Sequence, residues 1–234
     1  VSARKEDLSL LPLFRPCRES TLQFIRNNSQ ILSFRPRESL FHPDSVMDAV
    51  FVQLTGSSFR YAVTRQGQRR VFDFSVPGDL LNAPFQGEKA SFAHCEMLEA
   101  GQVLSIPKEV FAQALQEDFA LVEAVLAQQQ QTQRRMEHRL RNGVSSLHGR
   151  VRMASELLEL AEEFGVKTGR GIQIPLPLTV TLLADLLGMP RETASRLRKG
   201  LAEDGFLWVE GRRITLTDVD ALERLCQVPG YHPG

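Results

Sequence analysis

Hydrophobic and polar positions follow several rhythms along this chain, and the changes of rhythm divide it. From Leu8 to Phe24 apolar residues come in short groups interrupted by Pro12 and by Arg15-Pro16-Cys17, which predicts short helices. From Ile31 to Pro107 short apolar runs alternate with turn residues. Ile31-Leu-Ser-Phe34 gives way to Pro36-Arg37-Glu38, and Leu40-Phe41 to His42-Pro43-Asp44. Val50 to Leu54 ends at Thr55-Gly56, Phe59 to Val63 at Gln66-Gly67, and Val71 to Phe74 at Val76-Pro77-Gly78-Asp79. Phe92 to Leu98 and Gln102 to Ile106 complete the series. Many short strands at a spacing of about ten residues predict a β-sandwich or β-roll.

At Glu109 the period changes to that of a helix. Phe111, Leu115, Val122, Val125, Leu126, Met136, Leu140 and Leu147 recur at three- and four-residue steps over about ten turns. A single helix of that length is expected to bury its stripe against a second copy in a parallel coiled coil. Gln128 to Gln131 interrupts the stripe, and two readings stay open: amides that select a pairing register, or side chains that face water. Asn142-Gly143 predicts a break and hinge. A further helix, Val151 to Phe164, leads through a Gly-rich loop at Lys167 to Gly171 into the last segment.

That segment, Leu178 to Arg213, is the most informative stretch. Thr179 can cap a helix carrying Leu182, Leu183, Leu186 and Leu187 at helical spacing. Gly188 follows where a tight turn needs positive φ. Pro190 opens a second helix whose inward face is Ala194, Leu197 and Leu201. Ala184, four residues before Gly188, lets that helix cross closely. Arg191, Glu192, Ser195, Arg196 and Lys199 fall on the outer face, so this is expected to be a helix-turn-helix with a recognition helix. Phe206 to Val209, the turn Glu210-Gly211-Arg212, and Arg213 to Leu216 then predict a hairpin wing tipped with arginines.

The expected organisation is α+β: a β-roll over residues 1–108, a dimerisation helix over 109–146, and a winged helix-turn-helix over 147–234. The net charge is zero, which at first argues against nucleic acid. Local counts argue otherwise. Arg134 to Arg152 holds six arginines and one acid, and Arg191 to Arg213 holds six basic residues against four acids, so a basic face is expected. Three separated cysteines form neither a disulfide framework nor a zinc site. With no apolar run of membrane-spanning length and no signal peptide expected before Leu8, a cytoplasmic protein is expected. The sequence offers no nucleophile–base pair or phosphate loop, so an enzyme is not expected.

A β-roll, a long helix and a winged helix-turn-helix in that order resemble the CRP/FNR family of bacterial transcription regulators. The similarity runs from about Leu10 to Leu225, with Arg191-Glu-Thr-Ala-Ser-Arg196 as its most specific piece. Val76-Pro-Gly-Asp-Leu80, Leu54-Thr-Gly56 and Gln66-Gly67 match the family's β-roll turns. Ser91-Phe-Ala93 with Leu98-Glu99, and Asp220-Ala-Leu222, look closer to the FNR and FixK branch than to the cAMP receptors. The resemblance implies a cyclic-nucleotide-binding-like jelly roll for the β-roll, a homodimer, double-stranded DNA and RNA polymerase as partners, and an inverted-repeat site. It implies base reading by Arg191, Glu192, Ser195 and Arg196, and phosphate contacts by Thr179, Thr193, Lys199, Arg212 and Arg213. Serine at 195 favours a TTGA-type half-site, while Arg191 suits TGTGA.

Departures from the family bear on the sensor. Where cAMP-binding members carry the phosphate-holding Arg-Ser, this chain has Ser91 and Phe92, with Lys89 nearby lacking a bidentate fork. Where they present Thr-Ser to adenine it reads Arg135-Met136-Glu137. Cyclic AMP is therefore not expected. Nor is the FNR iron–sulfur cluster, since the N-terminal region offers only Cys17. No cofactor is expected. Two family β-roll glycines are replaced by Arg37 and Asp44. Phe72, Phe74, Phe85, Ser91 and Phe92 are candidate lining for an apolar effector site, though such a cluster is more often core. His94 and Cys95 point to opposite faces of a strand, so they should not share one haem iron; an inward Cys95 and an exposed His94 are expected. Cys226 is a candidate redox thiol, although an isolated cysteine is usually inert. The competing reading is a ligand-binding or interaction module whose winged helix contacts protein, for which outward arginines would be superfluous.

Overall fold

The computed structural model of the chain describes residues 5–82, 91, 93–144 and 149–227, without the side chains of 5–7 and 141–144. Two compact units result: residues 1–62 with 72–136, and residues 63–71 with 137–234.

In the first unit a 3-10 turn, Lys5–Leu10, and helix α1, Glu19–Asn27, precede the strands β1 (Gln30–Phe34), β2 (Ser39–Phe41), β3 (Ala49–Thr55), β4 (Ser58–Val63), β5 (Arg69–Ser75), β6 (His94–Met97) and β7 (Gly101–Pro107). They form two sheets, ordered β1-β7-β3 and β2-β6-β4-β5. Period-2 alternation in β3 sends Val50, Val52 and Leu54 toward the helices, with Val52 paired to Leu104 and Val50 to Ile106 of β7. Phe51, on the opposite face, packs on Phe41, Cys95, Met97 and Val103. Arg37 and Asp44 adopt the left-handed backbone, with φ of 68° and 67°.

The helix expected as one piece from Glu109 is two, α2 (Lys108–Glu117) and α3 (Phe119–Val144). Asp118 lies between them in extended conformation. Its carboxylate accepts the Arg18 N–H and the Thr21 hydroxyl, both at 2.8 Å, and the Ala120 N–H at 3.2 Å. Asp118 thus caps α1 and α3 together. Burial pushes its carboxyl upward, but those hydrogen bonds and Arg18 outweigh it and hold the group below the usual range.

The break redirects the apolar stripe. Phe111, Ala114, Leu115, Leu121 and Val125 are buried against Leu22, Ile25, Val50 and Leu104 of the same unit. Full burial of a side chain as large as Phe111 contributes about 1.5–3 kcal/mol. Phe111, Leu115 and Val125 of the stripe expected against a second copy are therefore core of this chain. Of the rest of the stripe, Leu126 and Leu140 are 59% and 67% exposed, and Val122 and Met136 are half-buried. Leu147 lies outside the described residues. Asn142-Gly143 does not break the helix, which runs on to Val144.

Gln128 settles the reading of the glutamine run against both alternatives at that position. Its Oε1 accepts the Leu80 N–H at 3.0 Å, and its Nε2 donates to the Gly78 carbonyl at 2.7 Å. The amide satisfies a turn of its own β-roll. That turn needs glycine, because Gly78 has φ of 100° and a Cβ there would come within 2.5 Å of Pro12.

The second unit contains α4 (Gly149–Phe164), β8 (Val166–Thr168), β9 (Gly171–Ile174), α5 (Val180–Leu187), α6 (Arg191–Glu203), β10 (Leu207–Glu210), β11 (Arg213–Leu216) and α7 (Val219–Cys226). The Lys167–Gly171 loop is in fact the turn of a β8–β9 hairpin. Ile172 and Ile174 place β9 beside Leu216 and Ile214 of β11, which completes a sheet ordered β10-β11-β9-β8. The buried side of α4 carries Met153, Ala154, Leu157 and Leu160, and also Glu156. Arg139, from the end of α3, donates to Glu156 Oε1 at 3.0 Å, and His138 pairs with Glu159. Among the described residues no helix is long and apolar enough to cross a membrane.

Candidate nucleic-acid interface

Thr179 caps α5 as the sequence predicts, its hydroxyl oxygen accepting the Leu182 N–H at 3.1 Å. The hydroxyl hydrogen stays available for a phosphate. Gly188 adopts the left-handed conformation, φ 64°, and the Met189 N–H donates to the Ala184 carbonyl at 3.1 Å. With Ala184, Leu187, Ala194 and Leu201 buried, α6 is seated by its small and apolar side. Arg191, Glu192, Ser195, Arg196 and Lys199 are exposed on the other. Glu192 and Arg196 stand one turn apart, so both reach one strip of surface. Thr193 is half-buried, and Lys199 pairs with Glu203 at 3.4 Å in a fully wetted contact of little weight.

The wing forms with Glu210 opposite Arg213 and Gly211 at the tip, φ 59°. Arg212 is exposed there, while Arg213 is half-buried on its strand. On the same sheet the Arg170 guanidinium lies 4.5 Å from the exposed Trp208 ring.

Two residues that hold this arrangement were hidden inside the arginine count. Arg152 donates to the Leu187 carbonyl, closing the C-terminus of α5 just before the turn. Arg150 pairs with Asp204 at the end of α6 and lies over Phe206, 5.7 Å from its ring. With Arg139 on Glu156 and Arg135 buried in the first unit, four of the six arginines between 134 and 152 make internal contacts. Among the described arginine side chains of that stretch, Arg134 alone is exposed. Composition shows charge; only packing shows where the charge goes.

The model of the Crp-like helix-turn-helix domain matches residues 151–225, and that of the cyclic nucleotide-binding domain matches residues 31–118. The chain belongs to the CRP/FNR family. It is 29% identical over 195 residues to the nitrogen fixation regulation protein FixK of Azorhizobium caulinodans, covering 82% of this chain and 77% of that protein. It is 26% identical over 196 residues to the fumarate and nitrate reduction regulatory protein of Escherichia coli, covering 80% and 75%. The fold is that of FixK2 from Bradyrhizobium japonicum, with a TM-score of 0.73 at 22% identity over 86% of this chain and 98% of that one. As a CRP/FNR-type protein of the FNR/FixK-like branch, the chain is a DNA-binding transcription regulator and not an enzyme.

The candidate sensor residues of this CRP/FNR protein are placed unevenly. Phe74 is fully buried, and Phe72 is half-buried with the Arg60 guanidinium 5.8 Å from its ring. Ser91 is buried and satisfied locally, its hydroxyl donating to the Ala93 carbonyl at 3.0 Å and accepting the Ala93 N–H at 3.1 Å. Phe85, Phe92 and Lys89 lie outside the described residues. His94 is half-buried, not exposed as expected. It stacks on Tyr61 with ring centroids 4.7 Å apart, and Tyr61 stacks in turn on Phe59. Cys95 is buried, and burial pushes its thiol up to about 12. Cys226 is buried beside the Val151 carbonyl, and burial followed by Glu223 pushes its thiol up to about 11. A thiol kept protonated at neutral pH is a poor redox nucleophile.

Proposed function

We propose that this regulator acts as a homodimer on an inverted-repeat DNA site, with Arg191, Glu192, Ser195 and Arg196 reading bases. The observation that carries this reading is the outward face of α6. Glu192 and Arg196 are exposed one turn apart on a helix seated by Ala194 and Leu201. Arginine suits guanine O6 and N7, and a carboxylate accepts from cytosine N4. Half-sites of TTGA or TGTGA type present that pairing at a G-A step. Thr179, Thr193, Lys199, Arg212 and Arg213 serve as phosphate contacts, setting register without sequence preference. Selection of sites from random duplex tests it. An inverted repeat with a G-A step in each arm is expected, and recovery of none defeats the assignment.

The dimer forms through α3. Leu126, Gln133 and Leu140 fall at seven-residue steps, and both leucines are exposed in the single chain. Leu126→Asp is expected to give a monomer by sedimentation, with loss of tight binding to the two-armed site. A wild-type monomer at micromolar concentration would sink this part. Cyclic AMP is not the effector in this reading, and RNA polymerase is the further partner.

A further inference from the structure

Resting on that reading, we propose that Asp73 stands in for an effector: it pins α3 to the β-roll through Arg60 and Arg135, so docking of α3 needs no small molecule. All three residues belong to the first unit. From α3 the long side chain of Arg135 turns back into its own β-roll. Its Nη1 lies 3.2 Å from Asp73 Oδ1 and donates to the Phe74 carbonyl at 3.3 Å. Its Nη2 reaches the Thr132 hydroxyl at 3.4 Å, which orients the guanidinium from its own helix. Asp73 Oδ2 accepts from Arg60 Nη2 on β4. The side chains of Arg135 and Asp73 are only 7% and 4% exposed.

Burial decides what this contact does. Removing one partner of a buried charge pair leaves the other charge without compensation, which is far more costly than losing a surface pair. The low-energy position of α3 is therefore the one in which Arg135 reaches Asp73. Gln128, two turns earlier on the helix, gives a second anchor on the Gly78–Leu80 turn. Two anchors two turns apart fix rotation as well as distance. An effector can shift a conformational equilibrium only through contacts that differ between its states. Here the corresponding contact is built from side chains of the chain itself.

Hydrogen exchange on the full chain reads the pin. In Arg135→Ala, Asp73 keeps Arg60, and amides over 124–136 are expected to exchange roughly tenfold faster while β3 and β7 stay protected. Unchanged protection of α3 overturns the proposal. If β3 and β7 lose protection too, Arg135→Lys decides: it keeps the charge without the fork, and about threefold faster exchange confined to α3 is expected. Unchanged protection in that variant also overturns it. Anisotropy with the selected duplex should show Arg135→Ala binding roughly tenfold more weakly, unrestored by millimolar cAMP or cGMP. Wild-type affinity that rises tenfold with either nucleotide overturns the proposal as well. If exchange responds but neither protein binds any duplex, the pin stands and the DNA reading falls.

Discussion

Arg134 to Arg152 and Arg191 to Arg213 each carry six basic residues, yet the fold puts them to different uses. In the first stretch Arg135 neutralises Asp73, Arg139 neutralises Glu156, Arg150 ties down Asp204 and Arg152 closes the end of α5. In the second, Arg191, Arg196 and Arg212 are exposed around the recognition helix and the wing. The difference follows from neighbours. The first stretch meets Asp73 on β5, Glu156 on α4, Asp204 at the end of α6 and the Leu187 carbonyl. The second is built on short elements whose inward positions are already filled by Ala194, Leu201, Ile214 and Leu216. An arginine run is evidence of a nucleic-acid surface only after its internal partners have been found.

The largest test of this contrast is Arg139→Ala. Glu156 is buried and loses its direct partner, so a stability loss of about 3–5 kcal/mol is expected in urea unfolding at neutral pH. Burial already pushes the Glu156 carboxyl above the usual range, with Arg139 pulling it back. A carboxyl raised in the folded state takes up a proton on folding as pH falls below its folded value. Stability at this site therefore rises toward acid, and the deficit of Arg139→Ala should shrink between pH 7 and 5. A loss under 1 kcal/mol at pH 7 would place Arg139 with the surface arginines.

Arg196→Ala is the counterpart from the second stretch. It should leave unfolding unchanged and weaken the selected duplex by about 1–3 kcal/mol, with relaxed preference at one position per half-site. Binding that weakens equally on all sequences would make Arg196 a phosphate contact.

What could be read from the sequence divides along the same line. Every strand from β1 to β7 was legible, because period-2 runs ended at turn residues such as Gly56, Gly67 and Gly78. The helix-turn-helix was legible from Thr179, Gly188 and the alternation of Ala194 and Leu201 with Glu192 and Arg196. These signals are local. The break at Asp118 was missed because its partners, Arg18 and Thr21, are about a hundred residues away in sequence. The β8–β9 hairpin was missed because only its pairing with β11 makes the Gly-rich segment a strand pair. Gln128 stayed open between an amide that selects a pairing register and one that faces water, and Arg135 stood out only as part of the segment where cAMP-binding relatives present Thr-Ser. Their role appears once the 78–80 turn and Asp73 are folded against them.

The smallest expected effect is at the wing. Arg212 sits at a hairpin tip beside Gly211, and on the proposed reading it meets a phosphate and no base. Phosphate contacts act by releasing condensed counterions, so Arg212→Ala should reduce affinity for selected and unrelated duplexes by the same factor. The slope of log affinity against log salt should flatten by about one unit per subunit, because one cation fewer meets the backbone. The unfolding curve should not move, since an exposed turn arginine carries little stability. This separates Arg212 from the first stretch by stability and from Arg196 by specificity. If the variant loses affinity for the selected site alone, the wing reads sequence and the division between base-reading and phosphate-holding residues is misplaced. If the salt slope stays constant, the tip does not touch DNA, and α6 carries the interface.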